Sequence, residues 1–168
     1  MGERELSPEI VSFCERLSRL DAGDRARLKR NAGQRLAEAR GVTGLFYRLL
    51  PPGVGAGQED MYFLVATLFP LAEGGGRGDL GAALCRGRSE KHARGLDRRV
   101  EILLDADAAQ LPFRLRRAVQ LLASNRVGVN WPQLLADLLY WTHPERFVQR
   151  RWARSYFSGQ PSAPVKGG

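Results

Sequence analysis

The sequence predicts an all-α fold, a single-domain helical bundle of about seven to nine helices with two glycine-rich loops. Apolar residues recur at three- and four-residue spacing along most of the chain, which is the pattern of amphipathic helices. No segment alternates apolar and polar residues as a half-buried strand would. Proline and capping residues stand where several of these patterns begin. A length of 168 residues suits one domain with a substantial core.

The first half of the chain contains four segments with a helical pattern, over residues 8–20, 25–40, 45–50 and 59–71. Ser7-Pro8-Glu9 indicates the start of the first segment, because a serine cap followed by proline suits a first helical turn. Asp21 or Asp24 can cap the second segment, which is strongly basic and has only a thin apolar face. Pro51-Pro52 terminates the third, and Pro70 ends or kinks the fourth.

The second half continues the pattern over residues 80–84, 96–104 and 111–122. Two last helices are predicted with Pro132 and Pro144 in their first turns, because a fixed φ and a missing N–H suit that place. Asn130 or Trp131 would precede the first of them, and Thr142 or His143 the second. The two glycine clusters, residues 53–57 and 74–78, are predicted to be linkers, because neither matches a phosphate-binding fingerprint. The folded domain is expected over residues 1–157, and residues 158–168 are expected to be a disordered tail.

Residues 130–157 contain all three tryptophans of the chain and end in an arginine-rich helix. On this helix Val148, Trp152 and Tyr156 form an apolar stripe. A basic stripe about 200° away around the helix consists of Arg146, Arg150 and Arg154. Exposed tryptophans would suggest stacking on nucleic-acid bases. Packing in the core is the favoured interpretation, because Trp131, Trp141 and Trp152 all have apolar neighbours at helical spacing.

The charge of the chain favours a nucleic-acid partner, since 26 Lys and Arg against 18 Asp and Glu give a formal net charge of +8. Basic residues recur in four segments, residues 25–40, 86–99, 114–117 and 146–154. Cys14 and Cys85 are interpreted as small buried apolar residues, because they lie far apart in helix-like segments and the sequence has no zinc motif. We expect a cytoplasmic protein without a membrane span, signal peptide or cofactor.

Catalytic groups are hard to find in this sequence, and an enzyme is not predicted. Asp97, Glu101 and Asp105 share one helix face, as they would in a magnesium-dependent nuclease. We interpret them instead as ion-pair partners of nearby basic residues, namely Arg94, Arg98 and Arg99. His92 and His143 have no ligand-forming neighbours and are interpreted as surface or capping residues.

Several short motifs occur in a recognisable order from residue 8 to residue 157. They are Leu20-Asp21-Ala22-Gly23-Asp24-Arg25 with Leu28-Lys29-Arg30; Phe46-Tyr47-Arg48-Leu49-Leu50-Pro51; Leu115-Arg116 ahead of Leu121-Leu122; Asn130-Trp131, Leu134-Leu135, Asp137-Leu138 and Trp141; and Trp152-Ala153-Arg154-Ser155-Tyr156-Phe157. On these motifs the chain resembles the CasB family, the small subunit of the type I-E CRISPR surveillance complex called Cascade.

The resemblance implies a non-catalytic helical subunit that is present as a pair within a larger RNA-guided complex. Its partners would be the backbone and large subunits, a second copy of itself, CRISPR RNA and target DNA. Base pairing to the guide would read the sequence while protein holds the strands by charge and shape. By that analogy, contacts to the nucleic-acid backbone are expected from Arg25, Arg27, Lys29, Arg30, Arg114, Arg116, Arg117, Arg126, Arg150 and Arg154.

Two other functions remain open at the level of sequence. A freestanding, sequence-tolerant nucleic-acid-binding protein or regulator would explain the charge alone. A metal-dependent nuclease would use Asp97, Glu101 and Asp105, and Asp97→Ala would abolish its magnesium-dependent cutting.

Overall fold

A computed structural model describes residues 6–159 of the chain, and all regular structure within that range is helical. The predicted all-α class is therefore confirmed. The nine α-helices of this range are α1 (Pro8–Ser18), α2 (Ala22–Lys29), α3 (Thr43–Leu49), α4 (Glu59–Leu68), α5 (Leu80–Arg86), α6 (Ala93–Leu104), α7 (Leu111–Ser124), α8 (Trp131–Leu138) and α9 (Phe147–Ala153). Short 3₁₀ turns connect several of them.

Helix α1 begins where the sequence predicts it. The Ser7 side chain accepts a hydrogen bond from the backbone N–H of Ile10 at 3.3 Å, and Pro8 occupies the first turn. One face of the helix then buries Phe13 and Leu17 completely. The serine cap satisfies one of the N–H groups that the first turn leaves without a helical partner, so the start of α1 is fixed locally.

The predicted second segment, residues 25–40, is wrong as a single helix, because α2 ends at Lys29. Asn31 is 5% exposed, and its amide group bonds across the following loop. Its Nδ2 donates to the carbonyls of Arg27 and Arg40, and its Oδ1 accepts from the Arg40 N–H at 2.9 Å. Gly33 takes a φ of +81° in the same loop. An asparagine that bonds backbone in this way competes with helix continuation.

Helix α4 lies at the centre of the molecule, and its residues from Tyr62 to Leu68 are all buried. It packs against α2, α7 and α8. The Phe13 and Tyr62 rings meet edge to face with centroids 4.9 Å apart, and the Phe46 and Phe63 rings do the same at 5.3 Å. Pro70 ends the helix in a 3₁₀ turn, as its missing N–H requires.

The second glycine-rich loop is more than the linker that the sequence predicts. The N–H of Val129 donates to the carbonyl of Glu73 at 2.8 Å, and the N–H of Gly76 donates to the carbonyl of Val129 at 3.3 Å. A Cβ on Gly76 would lie 2.7 Å from the carbonyl carbon of Gly128, so only glycine allows this approach. The loop therefore pairs with the segment that leads into α8.

The last two helices start differently from each other. Asn130 caps α8 by accepting from the N–H of Gln133 at 3.2 Å, as expected. Helix α9 begins at Phe147, so the predicted start at Pro144 is wrong. Pro144 lies in a turn, and Arg146 takes a left-handed φ of 50°. The chain is held there because Arg146 Nη2 donates to the Leu104 carbonyl at 2.6 Å.

All three tryptophans pack in the core, which confirms the favoured interpretation, and each is at most 2% exposed. The Trp141 and Trp152 rings contact each other at a centroid distance of 5.1 Å. Trp152 Nε1 donates to the buried carboxylate of Asp137 at 2.8 Å. Asp137 also accepts from Gln133 Nε2 at 2.8 Å and forms a short ion pair with Arg151. These bonds join α8 to α9.

Four further expectations concern the tail, the domain organisation, the cysteines and a membrane span. The predicted disordered tail, residues 158–168, lies outside the described residues except for Ser158 and Gly159. The single domain over residues 1–157 stays a prediction. Cys14 and Cys85 are unpaired thiols, the first buried and the second half-buried. Between residues 6 and 159 no helix combines the length and the apolar character needed to cross a bilayer.

Candidate nucleic-acid interface

The first candidate residues lie on α2 and at its C-terminal end, namely Arg25, Arg27, Lys29 and Arg30. Leu28 is fully buried and fixes the helix against the core, while Lys29 and Arg30 are exposed. Arg25 is half-buried, with its guanidinium carbon 5.9 Å from the centroid of the Phe69 ring. Lys29 and Arg30 are therefore the two side chains of this group that extend into solvent.

Arg27 differs from its neighbours because its guanidinium already holds the fold together. Its Nε and Nη2 donate to the carbonyl of Gly41 at 3.1 and 2.6 Å, and its Nη1 donates to Asp24 at 3.0 Å. Each of its three nitrogens thus has a partner within the chain. Its predicted contact to nucleic acid would compete with the bonds that close the loop after α2.

Helix α7 presents the second group of candidates. Arg114 is half-buried and donates from Nη1 to the Ile102 carbonyl of α6 at 2.7 Å. Arg117 is exposed, and its guanidinium carbon stands 5.6 Å from the centroid of the Phe113 ring. A cation at that distance is attracted to the face of the ring, which restrains the arginine while leaving its donors accessible.

Arg116 links the first two groups of candidates. Its side chain packs on Gly33, so closely that a Cβ on Gly33 would lie 2.9 Å from Arg116 Cδ. The Arg116 Nε is buried and has no hydrogen-bond partner within residues 6–159. The loop after α2 and the basic face of α7 are therefore neighbours, as a shared interface requires.

Arg126 occupies a backbone position that normally favours glycine. Its φ is 57°, and it directly follows the last residues of α7. The N–H of Arg126 donates to the Ala123 carbonyl at 3.1 Å, and the N–H of Val127 donates to the Leu122 carbonyl at 2.9 Å. This is the Schellman ending of a helix, with an exposed arginine at the left-handed residue.

The apolar and basic stripes predicted on the last helix are observed in part, because Arg146 precedes α9. Val148, Trp152 and Tyr156 are buried, while Arg150 and Arg154 are exposed. Helix α9 packs against α5 and α6, and α6 packs against α7. The π-helical turn Arg154–Ser158 continues α9 and carries the second of these arginines.

The surroundings of Arg150 are not uniformly basic. A groove of about 470 Å³ beside it is also lined by Glu101, Asp105 and Glu145. These carboxylates would repel a phosphate at short range, because like charges repel across a few ångströms. The positive surface is therefore interrupted between α7 and α9, and the α2 and α7 arginines form the more coherent group.

Two of the three carboxylates considered for a metal site, Asp97 and Asp105, form ion pairs within the described residues. Asp97 accepts from Arg88 Nε and Nη2 at 3.1 and 3.3 Å and also from the Tyr156 hydroxyl. Asp105 pairs with Arg146 at 3.7 Å. Burial and the bond to Asp97 raise the pKa of Tyr156 above its ordinary value. Within residues 6–159, no three His, Cys, Asp or Glu residues are placed to hold a metal ion.

The sequence missed a groove between α6 and α7 that the basic face of α7 borders. Its volume is about 690 Å³, and its lining includes Arg99 and Phe113 in addition to the predicted arginines of α7. Phe113 lies outside the apolar stripe of α7 and between basic residues. An aromatic residue on the charged face of a predicted helix was the signal that could have revealed it.

A family model for CRISPR-associated protein Cse2 matches residues 24–157 of the chain. The CRISPR-associated protein Cse2 of Thermus thermophilus is 40% identical over 112 residues. That alignment covers 65% of this chain and 63% of the relative, which is less than two thirds of the relative's length.

Solved structures have the same fold. CasB from M. ruber has a TM-score of 0.75 and 30% identity, covering 92% of this chain and 94% of that chain. A chain of a CRISPR RNA-guided surveillance complex has a TM-score of 0.76 and covers 89% of this chain and 92% of that chain. Its identity of 22% supports the fold alone. The predicted resemblance is thus confirmed, and this chain belongs to the CRISPR-associated Cse2 family, which includes CasB.

Proposed function

We propose that this chain is the non-catalytic small subunit of a type I-E CRISPR RNA-guided surveillance complex, Cascade. In this role it binds the other Cascade subunits, a second copy of itself, CRISPR RNA and target DNA. Its basic surface holds the nucleic-acid backbone and stabilises the R-loop during antiviral defence. Membership of the Cse2 family and the similarity to a chain of a CRISPR RNA-guided surveillance complex support this assignment.

The observation that carries the proposal is the contact of Arg116, on α7, with Gly33, in the loop that follows α2. The exposed Lys29 and Arg30 lie just before this loop, and the exposed Arg117 is next to Arg116 on α7. Guanidinium groups form paired hydrogen bonds with phosphate oxygens, and each phosphate contact adds to an affinity that weakens with salt. Such contacts carry no sequence information, which suits a subunit that leaves sequence reading to the guide.

The test compares the salt dependence of strand binding in three proteins. The double variant Arg30→Gln/Arg117→Gln removes two exposed charges, and Arg48→Gln removes one exposed charge on α3, outside the proposed interface. Labelled single-stranded DNA is titrated by fluorescence anisotropy at several salt concentrations. Two lost phosphate contacts reduce the slope of log affinity against log salt by about 1.4 for a single strand. Arg48→Gln leaves the slope unchanged.

The same variants are then placed in the assembled complex with its CRISPR RNA and a matching target. Weaker target binding by Arg30→Gln/Arg117→Gln, with normal assembly, is the expected result. Equal slopes and equal target binding in all three proteins would contradict the proposed role. Sequence-selective binding to duplex DNA by the protein alone would favour a freestanding regulator instead.

A further inference from the structure

The groove between α6 and α7 combines an apolar floor with a strongly basic border. Four arginines line it, Arg99, Arg114, Arg116 and Arg117, and its lining within residues 6–159 includes no Asp or Glu. Elsewhere among residues 6–159, Arg88, Arg146 and Arg151 each pair with a carboxylate of the fold. This groove therefore concentrates positive charge that the chain itself does not neutralise.

Phe113 is the most exposed large apolar side chain in the described part of the chain, at 59% of its surface. Ile102, across the groove on α6, is also exposed, at 42%. The two residues together form an exposed apolar patch bordered by arginines, and apolar patches rimmed by polar residues mark binding sites. The guanidinium of Arg117 beside the ring adds a second flat surface on which a planar group can stack.

We propose that this groove holds unpaired bases of a single-stranded nucleic acid. Phe113 and the Arg117 guanidinium stack against the bases, and the surrounding arginines bind the adjoining phosphates. This inference rests on the proposed function and deepens it, because it adds contacts to bases where that function requires only the backbone. Single-strand-binding proteins combine stacking aromatics with a positive groove in the same way.

The dimensions and chemistry of the groove favour a strand over a folded protein. Its volume of about 690 Å³ falls in the range of sites for ligands of small-molecule size. A stable protein partner would bury about 800 Å² of this chain, and two exposed apolar side chains among four cations offer little of the apolar centre that such an interface needs. Duplex DNA fits less well, because its bases are already stacked on one another.

The experiment separates base contacts from backbone contacts by using two strands. Oligothymidine and an abasic strand of the same length are titrated against wild-type protein, Phe113→Ala and Phe113→Trp. Wild type is expected to bind oligothymidine more tightly than the abasic strand. Phe113→Ala loses roughly tenfold in affinity for oligothymidine, the effect of losing one stacked base, and keeps its affinity for the abasic strand. Phe113→Trp restores the preference.

Tyr140→Ala is the matched control, since Tyr140 is 50% exposed and does not line the groove. It should leave both affinities unchanged. Phe113→Trp also supplies a direct signal, because the three native tryptophans are at most 2% exposed. Oligothymidine should quench the emission that this substitution adds, whereas the abasic strand should not. Absence of quenching at saturating oligothymidine would overturn the stacking proposal.

The possible failures can be told apart. If neither strand binds to wild type, the proposed function itself fails. If wild type binds both strands and Phe113→Ala binds each strand as tightly as wild type does, the phosphate-binding function stands and the base-binding inference is refuted. If Phe113→Ala instead prevents assembly with the partner subunits and leaves strand binding intact, the groove is a protein-docking site. That result would also refute the inference.

Discussion

The close contact between α5 and α9 leads us to predict that Gly81→Ala destabilises the protein. Gly81, in the first turn of α5, lies directly against the backbone of Trp152. A Cβ at residue 81 would stand 2.8 Å from the carbonyl carbon of Trp152 and 2.9 Å from its Cα, and closer still to the oxygen. Because all these atoms belong to backbone, no side-chain rotation can relieve the clash in Gly81→Ala.

The cost follows from the displacement that the methyl group requires. Ordinary Cβ contacts begin near 3.4 Å, so the two helices must separate by more than half an ångström. Overpacking of this kind costs about 3 kcal/mol at the upper end of its range. A loss of that size lowers the melting temperature of a domain of this length by roughly 6 to 12 °C. The gain in helix propensity, about 1 kcal/mol, offsets only part of it.

Gly95 provides a matched control, because it also lies in the first turn of a helix, α6, and a Cβ there would meet nothing within 4 Å. Gly95→Ala should stabilise the protein by about 1 kcal/mol, the same gain in helix propensity without the clash. Thermal and urea unfolding followed by circular dichroism measure both variants. If Gly81→Ala were as stable as Gly95→Ala, the close approach of α5 to α9 would be wrong.

Three further predictions concern stability and pH. Asp137→Ala should destabilise the protein by about 1 to 3 kcal/mol in urea unfolding, because it leaves the buried Trp152 Nε1 without its acceptor and removes the closer of the two carboxylates that pair with Arg151, whereas Asp137→Asn keeps an acceptor and should cost less. Burial raises the pKa of the Cys14 thiol from 9.0 to about 12. The unfolded thiol therefore ionises first, and stability should fall by up to about 4 kcal/mol between pH 9 and pH 12, a fall that is smaller in Cys14→Ala. Arg126→Gly should raise stability by about 1 kcal/mol in the same assay while weakening strand binding; an unchanged affinity would remove Arg126 from the interface.

Helix starts were predictable where one side chain determines them. Ser7 and Asn130 each cap a helix with a single local hydrogen bond, and both starts are observed as expected. The start at Pro144 was wrong because proline suits a turn as well as a first helical turn. There the deciding bond joins Arg146 to Leu104, 42 residues away. Local sequence carries no trace of a partner so far along the chain.

In the candidate site, too, features set by local spacing were predictable and features set by distant partners were not. Periodicity separated the exposed Arg150 and Arg154 from the buried stripe of α9 correctly. It could not show that Asp97 pairs with Arg88 and accepts from Tyr156, 59 residues away. Spacing within one helix favoured partners one turn away, whereas Arg88 precedes Asp97 by nine residues and lies outside α6.

The arginines of this chain divide by what their guanidinium groups already bind. Arg27, Arg88, Arg146 and Arg151 bond to carbonyls and carboxylates of the fold. A charge reversal at any of these would loosen a loop or a helix junction, and the weaker strand binding that followed would not identify a contact. Only substitutions at exposed arginines such as Arg117 can test binding directly. Net charge therefore predicts only the class of partner, whereas the hydrogen bonds of each arginine show which guanidinium groups the fold already uses.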